Sequence, residues 1–328
     1  MLFSEIINKM RIYILFIIIL LSVRLSVYSQ NAPAIDENIP YLVTFGGNAV
    51  TSYGDDDFLQ IFFCFIPASQ IKPFYIRVYD PDTGGDIDEQ VGDKFNSAIN
   101  FSVYAGKCWS NIASTNTVNK DNFKSGYLLS SKSFGVDPKY NKKWYSFGPF
   151  NPSEGENAQI LGGRVFKIIA QGVSGDDGNL YRYFLSSSSV ENIPLEGGNF
   201  FTYKYHLRLS DDQKHVSQIY PYVDDKTISI EISNFDWDND GTIRIFSNSK
   251  NGNLCEVSKQ NNWIAKKFPI VAKEKNSTIE IQFIKNQTQK VINNNVVVTV
   301  KNQYGTSLPF FVVPIGGVPV YSPKIKMK

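Results

Sequence analysis

Residues 201–209, FTYKYHLRL, indicate most clearly how this chain folds. Large apolar or aromatic side chains occupy every second position, and the positions between them hold Thr202, Lys204, His206 and Arg208. Successive side chains of a strand point to opposite faces of its sheet, so this alternation predicts a strand with one buried and one solvated face. We therefore expect His206 to face solvent rather than to act as a catalytic base.

Similar alternating runs predict strands along the rest of the chain. Ahead of residue 201 they lie at residues 58–66, 75–79, 101–104, 165–170 and 180–185. Beyond residue 210 they lie at residues 227–233, 242–246, 278–284, 295–300 and 309–313. The pattern weakens between residues 106 and 157, which predicts a long loop that carries many aromatic side chains.

This order of strands predicts an all-β protein of two antiparallel β-sandwiches. The charged segment at 210–214, SDDQK, is interpreted as the linker between them. Residues 38–209 are expected to form a jelly-roll-like sandwich. Residues 215–320 are expected to form a smaller, immunoglobulin-like sandwich.

The first 29 residues follow the plan of a signal peptide. Lys9 and Arg11 precede an apolar run at 12–23, and Ser29 is a small residue at the expected cleavage point. An uncleaved membrane anchor is the alternative, but the run is shorter than the roughly 20 residues a spanning helix needs. We predict an exported protein in the periplasm, on the outer cell surface or outside the cell, with no transmembrane segment in the mature chain.

Composition excludes one class of partner and leaves the cysteines open. The 33 basic and 31 acidic residues nearly cancel, so the chain lacks the basic surface that nucleic acid requires. Cys64, Cys108 and Cys255 form no short-spaced disulfide framework. Cys64 is expected to be a small buried hydrophobe, and a bond between Cys64 and Cys108 is neither required nor excluded.

The strongest functional signal is the turn DPDTGGDIDE at residues 80–89, directly after a predicted strand. Calcium takes six to eight oxygen ligands, and alternate acids with free carbonyls on one turn provide several of them. A solvated turn is the alternative, because Asp, Gly and Pro favour turns for conformational reasons. The expected ligands within this turn and from neighbouring strand ends are Asp80, Asp82, Asp86, Asp88, Asp57 and Asp177.

A second acidic turn, at residues 236–241, reproduces the opening of an EF-hand loop with Asp236, Asp238 and Asp240. That motif requires a bidentate Glu at its twelfth position, where this chain has Ser247. Because strands are predicted on both sides, we exclude an EF-hand. A calcium site on a β-hairpin and a turn stabilised by its own Asp and Asn side chains remain open.

No catalytic residue is assigned from the sequence. Neither histidine belongs to a recognisable zinc or nucleophile motif. Paired carboxylates for glycoside cleavage, such as Glu154 and Glu156, would leave no fixed spacing. Trp109, Tyr140 and Trp144 are candidates for a ligand-binding face, and the alternative is that they are core residues of unrecognised strands.

Several turn motifs resemble those of one type of bacterial cell-surface protein. They are FGGN at 45–48, YDPDTGGD at 79–86, GDDGNLYR at 175–182, FDWDNDG at 235–241, LPF at 308–310 and PIGGVP at 314–319. In the proteins it resembles, this region is an N-terminal β-sandwich part that continues into Ig-like repeats and an OmpA-like domain. The resemblance implies a β-sandwich fold and carries no assigned activity. This chain ends at Lys328, so we expect a free-standing relative or a truncated version.

Together these features predict an exported β-sandwich protein, stabilised by structural calcium, that binds a protein or glycan at the cell surface without catalysis. The alternative is a carbohydrate-active protein, either a sugar-binding module or a glycoside hydrolase. An exposed row of Trp109, Tyr140 and Trp144 beside paired acids would favour the alternative, and their burial would count against it.

Overall fold

The computed structural model of this protein describes residues 31–88, 96–109, 122–291 and 293–319. Within these ranges the chain is all-β, and its strands pair antiparallel. The predicted fold class is therefore confirmed. The signal peptide predicted at residues 1–29 lies outside the described residues.

The strands vary widely in length. The first twelve are β1 (Asn31–Ala32), β2 (Tyr41–Phe45), β3 (Leu59–Pro67), β4 (Phe74–Tyr79), β5 (Ala98–Ala105), β6 (Tyr127–Phe134), β7 (Trp144–Phe150), β8 (Glu156–Ala158), β9 (Gly163–Ser174), β10 (Gly178–Ser186), β11 (Asn199–Thr202) and β12 (Lys204–Arg208). The others are β13 (Val216–Ile219), β14 (Tyr222–Val223), β15 (Ser229–Phe235), β16 (Gly241–Phe246), β17 (Asn251–Leu254), β18 (Trp263–Pro269), β19 (Ser277–Thr278), β20 (Glu280–Lys285), β21 (Asn295–Asn302) and β22 (Phe310–Phe311). Short 3₁₀ helices lie at Ile35–Glu37, Thr51–Tyr53, Asn122–Lys124, Pro152–Glu154, Gln159–Leu161 and Ala272–Glu274.

Two large sheets contain most of these strands. The nine-stranded sheet runs β18-β15-β21-β12-β2-β10-β4-β7, with β1 also paired to β10. The seven-stranded sheet runs β22-β11-β3-β9-β5-β6, with β8 also paired to β9. Buried side chains of both sheets belong to one apolar cluster, in which the ring of Phe62 on β3 lies 5.7 Å from that of Tyr183 on β10. This contact between facing rings is typical of a sandwich core.

The second half of the chain adds a smaller sheet to the same core. It runs β13-β20-β16-β17, and a two-stranded sheet pairs β14 with β19. Ile243 and Phe283 of the smaller sheet share a buried cluster with Ile232 of β15. However, β21 pairs with β12, so the nine-stranded sheet continues across the predicted linker. The division into domains 38–209 and 215–320 stays a prediction.

The run at 201–209 forms two strands rather than one. The chain leaves β11 after Thr202 and re-enters strand structure at Lys204, in the other large sheet. The Thr202 hydroxyl contacts the carbonyls of Ile61 and Lys204, each at 2.7 Å, and the Lys204 carbonyl accepts a hydrogen bond from Gln60. These polar contacts satisfy the backbone where it changes sheets.

The predicted loop between residues 106 and 157 contains two long strands, β6 and β7, of which β7 forms an edge of the nine-stranded sheet. Their residues mix exposed and buried positions without strict alternation, so the sequence pattern does not reveal them. All three cysteines are buried free thiols, as expected for Cys64.

Candidate functional site

The Asp80 loop (residues 80–88) begins where β4 ends at Tyr79. Asp80 adopts a positive φ of 55°, and its amide donates to the Lys143 carbonyl at 2.9 Å. Its Oδ1 accepts a hydrogen bond from the Lys142 amide. Aspartate is one of the few residues that tolerate the left-handed region, so the turn direction is set by residue type. The carboxylate is thereby fixed against the segment that enters β7.

Two acids of the Asp80 loop are buried without full compensation. Among the described residues, Asp80 Oδ2 and Asp82 Oδ1 have no hydrogen-bond partner. Burial raises the pKa of Asp80 to about 6. Burial, reinforced by the Asp80 charge, raises the pKa of Asp82 to about 7. Unpaired buried carboxylate oxygens of this kind are costly unless a cation or a proton neutralises them.

The other two predicted ligands of this loop differ from each other. Asp88 is buried, accepts hydrogen bonds from the amides of Gly85 at 3.0 Å and Leu180 at 2.7 Å, and has a pKa raised mainly by burial. It connects the loop to β10. Asp86 is exposed, and its carboxylate pairs with Lys142 Nζ at 2.7 Å. The structure therefore brings together three of the four predicted acids, Asp80, Asp82 and Asp88, on the buried side.

Asp177, another predicted ligand, holds a neighbouring turn instead. Its Oδ2 accepts from the Asn96 amide at 3.1 Å, and its own amide donates to Ser97 Oγ at 2.7 Å. Within the described ranges, the acids of the Asp80 loop do not each place an oxygen within 4.8 Å of the others. A bound cation would therefore need backbone carbonyl ligands or a small closure of the loop.

The turn at residues 236–241 links β15 to β16, so the exclusion of an EF-hand is confirmed. Asp236 accepts from the Asn261 amide at 2.6 Å, and Asp240 accepts from the Asn293 amide at 2.6 Å. Burial raises the pKa of Asp236 to about 6 and also raises that of Asp238. Amide groups already serve two of the three predicted ligands, which is the arrangement of a self-stabilised turn.

A third acidic group lies on the outer face of the nine-stranded sheet, since Tyr205 and Leu207 of β12 face the core and His206 alternates with them. The His206 cluster comprises Asp55, Asp56 and Asp57, on the turn before β3, with Lys204 and His206 on β12. Within the described part of the chain, it is the group of acids and histidine whose ligand atoms all lie within 4.8 Å of one another.

The prediction that His206 faces solvent is wrong, since its side chain is 0% exposed. The turn that carries Asp55 covers this face of β12. The His206 amide also donates to Gln60 Oε1 at 2.8 Å, which ties β12 to β3. Lys204 and His206 are two residues apart, so they share a face of the strand. The spacing of Lys204 and His206, together with the three consecutive aspartates at residues 55–57, is the sequence signal that could have indicated this cluster.

Opposite charges within the His206 cluster stabilise one another. Burial opposes the charge on His206 and on Lys204, but the surrounding carboxylates raise the pKa of both. Burial also acts against the Asp56 carboxylate, yet His206 and Lys204 lower its pKa to about 2. Asp55 is fully buried, and burial raises its pKa despite the nearby imidazole.

The three predicted aromatic ligands do not form one surface. Trp109 packs against Phe201 and donates from Nε1 to Tyr203 Oη at 3.0 Å. Tyr140 packs against Phe134 of the core, whereas Trp144 lies on the outer side of the nine-stranded sheet. All three are half-buried, so the exposed row that would favour a sugar site is not formed.

Trp144 belongs instead to a surface on the outer side of the nine-stranded sheet, which we call the aromatic–arginine face. It consists of Tyr41, Arg182, Tyr79, Trp144 and Arg77. The Arg182 guanidinium carbon lies 5.1 Å from the ring centre of Tyr41 and 4.7 Å from that of Tyr79. The rings of Tyr79 and Trp144 are 5.2 Å apart, and Arg77 lies 5.4 Å from Trp144. Contacts at these distances combine ring packing with cation–π attraction.

Two further features do not coincide with the predicted sites. Glu154 and Glu156 each accept a hydrogen bond from a backbone amide, of Asn151 and Trp109, which gives both a role in local structure. A groove of about 920 Å³ lies elsewhere, lined by Ile35, Phe65, Leu161 and residues 311–318 among others, and no predicted site residue lines it.

We find no helix in the described part of the chain with the length and hydropathy needed to cross a bilayer.

Comparison with known proteins gives little guidance. No protein-family model and no curated protein matches this chain. A solved structure named "Recombinant peptide: N-glycanase F (PNGase F)" aligns over 86% of this chain and 97% of its own, with 9% identity and a TM-score of 0.23. A TM-score this low carries no inference about fold or activity.

Proposed function

We propose that this chain is an exported, calcium-stabilised β-sandwich protein that acts by binding a partner at the cell surface, without catalysis. One observation carries the proposal: the buried oxygens Asp80 Oδ2 and Asp82 Oδ1 lack hydrogen-bond partners among the described residues, at the end of a strand that bears a half-exposed aromatic ring, Tyr79.

Calcium is the cation that best suits the Asp80 loop. Its candidate ligands are carboxylates and backbone carbonyls, which are the hard oxygen donors that calcium prefers. Asp80, Asp82 and Asp88 come from one short segment, and the Asp80 charge raises the pKa of the other two by repulsion. A divalent cation among them would remove that repulsion and compensate the cost of burial.

The Asp80 loop borders the aromatic–arginine face. Tyr79 directly precedes Asp80, and Trp144 follows Lys142 and Lys143, whose backbone groups contact Asp80. A cation in the loop would therefore stiffen the rim of this face. Trp, Tyr and Arg are the residues most enriched in the energetic centres of protein interfaces, which favours a protein partner.

Sugar binding is the second candidate. It is favoured by the half-exposed rings of Tyr79 and Trp144 on one sheet face, because an aromatic ring stacks on the apolar face of a sugar. Glycoside cleavage is not proposed, since Glu154 and Glu156 hold backbone amides.

The first test is thermal unfolding of the mature chain in calcium and in EGTA, with Asp82→Asn as the test variant. Calcium at a hundredfold above its dissociation constant adds about 2.7 kcal/mol, so the midpoint should rise by several degrees. Asp82→Asn should lose this response. Asp176→Asn, an exposed acid of a neighbouring turn, is the matched control and should keep it. No calcium response in the wild type would overturn the calcium part of the proposal.

The second test measures binding of labelled protein to purified cell-surface proteins and to a glycan array, both in calcium. Trp144→Ala should abolish whatever specific binding the wild type shows. Trp263→Ala, an exposed tryptophan on β18 at the far edge of the same sheet, should retain it. Glycan-only binding lost with Trp144 would select the second candidate. Binding that survives Trp144→Ala would remove the aromatic–arginine face from the proposal.

A further inference from the structure

The turn that bears Asp55, Asp56 and Asp57 is rigidly held before any ligand is considered. Asp55 Oδ2 accepts from the Phe45 amide at 3.0 Å, and its Oδ1 accepts from the amides of Asp57 at 3.2 Å and Phe58 at 2.8 Å. Three backbone donors therefore fix this carboxylate. Such anchoring holds Asp56 and Asp57 in place beside β12.

The His206 side chain is aimed into this turn without a hydrogen bond. It is 0% exposed, and its Nδ1 lies 3.3 Å from Asp55 Oδ1. Nε2 lies 3.4 Å from Asp56 Oδ1 and 3.8 Å from Asp57 Oδ1. Among the described residues, neither ring nitrogen has an aligned hydrogen-bond partner. A buried imidazole with both nitrogens directed at carboxylates, yet bonded to none, is suited to a metal ion.

We propose that His206 Nε2, Asp56 and Asp57 bind a divalent transition-metal ion, with zinc the best fit, and that Asp55 orients the ring through Nδ1. Ligands about 2.1 Å from a tetrahedral zinc ion lie about 3.4 Å from one another, close to the two Nε2 to carboxylate distances. An imidazole ligand favours zinc and its neighbours over calcium. A carboxylate on the other ring nitrogen is the usual support of such a ligand.

Charge also fits a divalent ion. Of the three carboxylates, Asp56 pairs with the ammonium of Lys204, Asp57 Oδ2 lies 2.9 Å from it, and Asp55 faces His206. A divalent ion would balance the remaining two negative charges with the imidazole neutral, whereas a protonated imidazole balances one. Lys204 and the metal share the same carboxylates, so the ammonium is a competitor whose removal should strengthen binding.

The metal would have a structural role. The turn at residues 54–58 precedes β3 of the seven-stranded sheet, and His206 lies on β12 of the nine-stranded sheet. One ion would therefore tie the turn that leads into β3 to the outer face of β12. None of its ligands belongs to the Asp80 loop, so the zinc site does not depend on the proposed calcium site.

The test uses the metal-free mature chain titrated with zinc chloride, with calcium chloride as the comparison ion. The chain has two histidines, so ¹⁵N-edited imidazole spectra contain one buried and one exposed reporter. One equivalent of zinc should shift the His206 signals and leave those of His215 unchanged, and calcium should shift neither.

Variants measured by calorimetry separate the roles. His206→Gln should weaken zinc binding at least about a hundredfold, and Asp55→Asn about ten- to a hundredfold, as expected for a ligand and for its support. His215→Gln is the matched control and should change nothing. Lys204→Met should bind zinc more tightly than the wild type.

Two results would overturn the proposal. The first is zinc that shifts His215 and not His206, which indicates an adventitious surface ion. The second is a Lys204→Met protein that binds no zinc while remaining folded, which indicates a closed network of ions. If His206→Gln fails to fold, the wild-type spectra still decide the question.

Discussion

The Asp80 loop and the His206 cluster both gather aspartates from one short turn, but they compensate the charge differently. In the His206 cluster, Lys204 from a distant strand pairs with two of the acids. In the Asp80 loop, Lys142 pairs with the exposed Asp86, and the buried acids Asp80, Asp82 and Asp88 form no ion pair with another described residue. The acids of the His206 cluster therefore have a paired ammonium, and the buried acids of the Asp80 loop have none among the described residues.

The difference shows that acidic composition alone does not determine how the charge of a turn is compensated. Residues 54–57 and 80–88 look equivalent as turns, since both combine glycine with closely spaced aspartates. What separates them is the strand that packs against each turn. That information is long-range in sequence, because Lys204 lies 147 residues from Asp57.

Glu37 provides the largest expected effect, because it is a single buried acid with no ammonium partner among the described residues. It accepts hydrogen bonds from the Ala34 amide at 2.7 Å and Tyr205 Oη at 3.1 Å, and burial raises its pKa to about 8. The folded state then holds a proton that the unfolded state has lost, so stability falls as pH rises from about 4.5 to about 8.

Each tenfold difference in proton affinity between the folded and unfolded states corresponds to about 1.4 kcal/mol, so the loss amounts to a few kcal/mol, and Glu37→Gln should remove it. Urea unfolding at a series of pH values measures this slope. Glu274→Gln is the contrasting control, because Lys250 pairs with Glu274 at 2.8 Å and the pKa of Glu274 is lowered. That variant should lose stability at pH 8 and keep the Glu37 slope. An unchanged slope in Glu37→Gln would contradict the prediction.

Lys204→Met tests the His206 cluster, in which an ammonium pairs with the acids. Removing one partner of a buried ion pair usually costs about 3–5 kcal/mol, and the slight exposure of this site places the expected loss near 3 kcal/mol. Urea unfolding in EDTA measures it. A loss that zinc then reverses would distinguish the variant from a merely damaged core. A fully stable variant would show that Asp56 and Asp57 do not need the ammonium.

Much of the fold could be predicted. β15 keeps the period of two that one-sided burial leaves in a sequence. β3, β9, β10 and β21 were located as runs rich in apolar residues, and the structure buries most of their positions on both faces. The run at 201–209 was correctly identified as strand, but not its division at Tyr203. Alternation reports which face is buried and does not report which sheet a strand joins.

The site was predictable only in part. The grouping of Asp80, Asp82 and Asp88 could be predicted because their turn is local, and their role as calcium ligands stays a prediction. Asp86 was grouped with them because a sequence does not show which acids of a turn point outward. His206 was misassigned because a polar residue between apolar ones is ordinarily solvated. The acids that bury it are far away in the sequence: Asp56 lies 148 residues from Lys204, which shares a face of β12 with His206.

Asp82→Asn tests the Asp80 loop, whose buried acids lack a paired ammonium among the described residues. Unlike Lys204→Met, this variant should increase the stability of the protein. In EGTA at pH 8 the variant removes a buried charge whose Oδ1 has no hydrogen-bond partner among the described residues. It should therefore be more stable than the wild type, by about 1–2 kcal/mol. Asp57→Asn, which loses its pairing with Lys204, should be less stable under the same conditions. Destabilisation by both variants in EGTA would mean that the two turns do not differ as described.

The smallest effect is expected at Lys142, and it completes the comparison. Its ammonium pairs with Asp86 at the surface, where both side chains are at least half exposed. Surface pairs of this kind contribute little, so Lys142→Met should leave the unfolding midpoint unchanged, whereas Lys204→Met should lower it.

The charge of Lys142 nevertheless acts to lower the pKa of Asp80, so it would also repel a cation bound beside that carboxylate. Lys142→Met should therefore raise calcium affinity by about two- to threefold at low salt, and the gain should vanish at high salt as the charges are screened. Calorimetric titration at two salt concentrations measures this, and a salt-independent change would place the calcium away from the Asp80 loop.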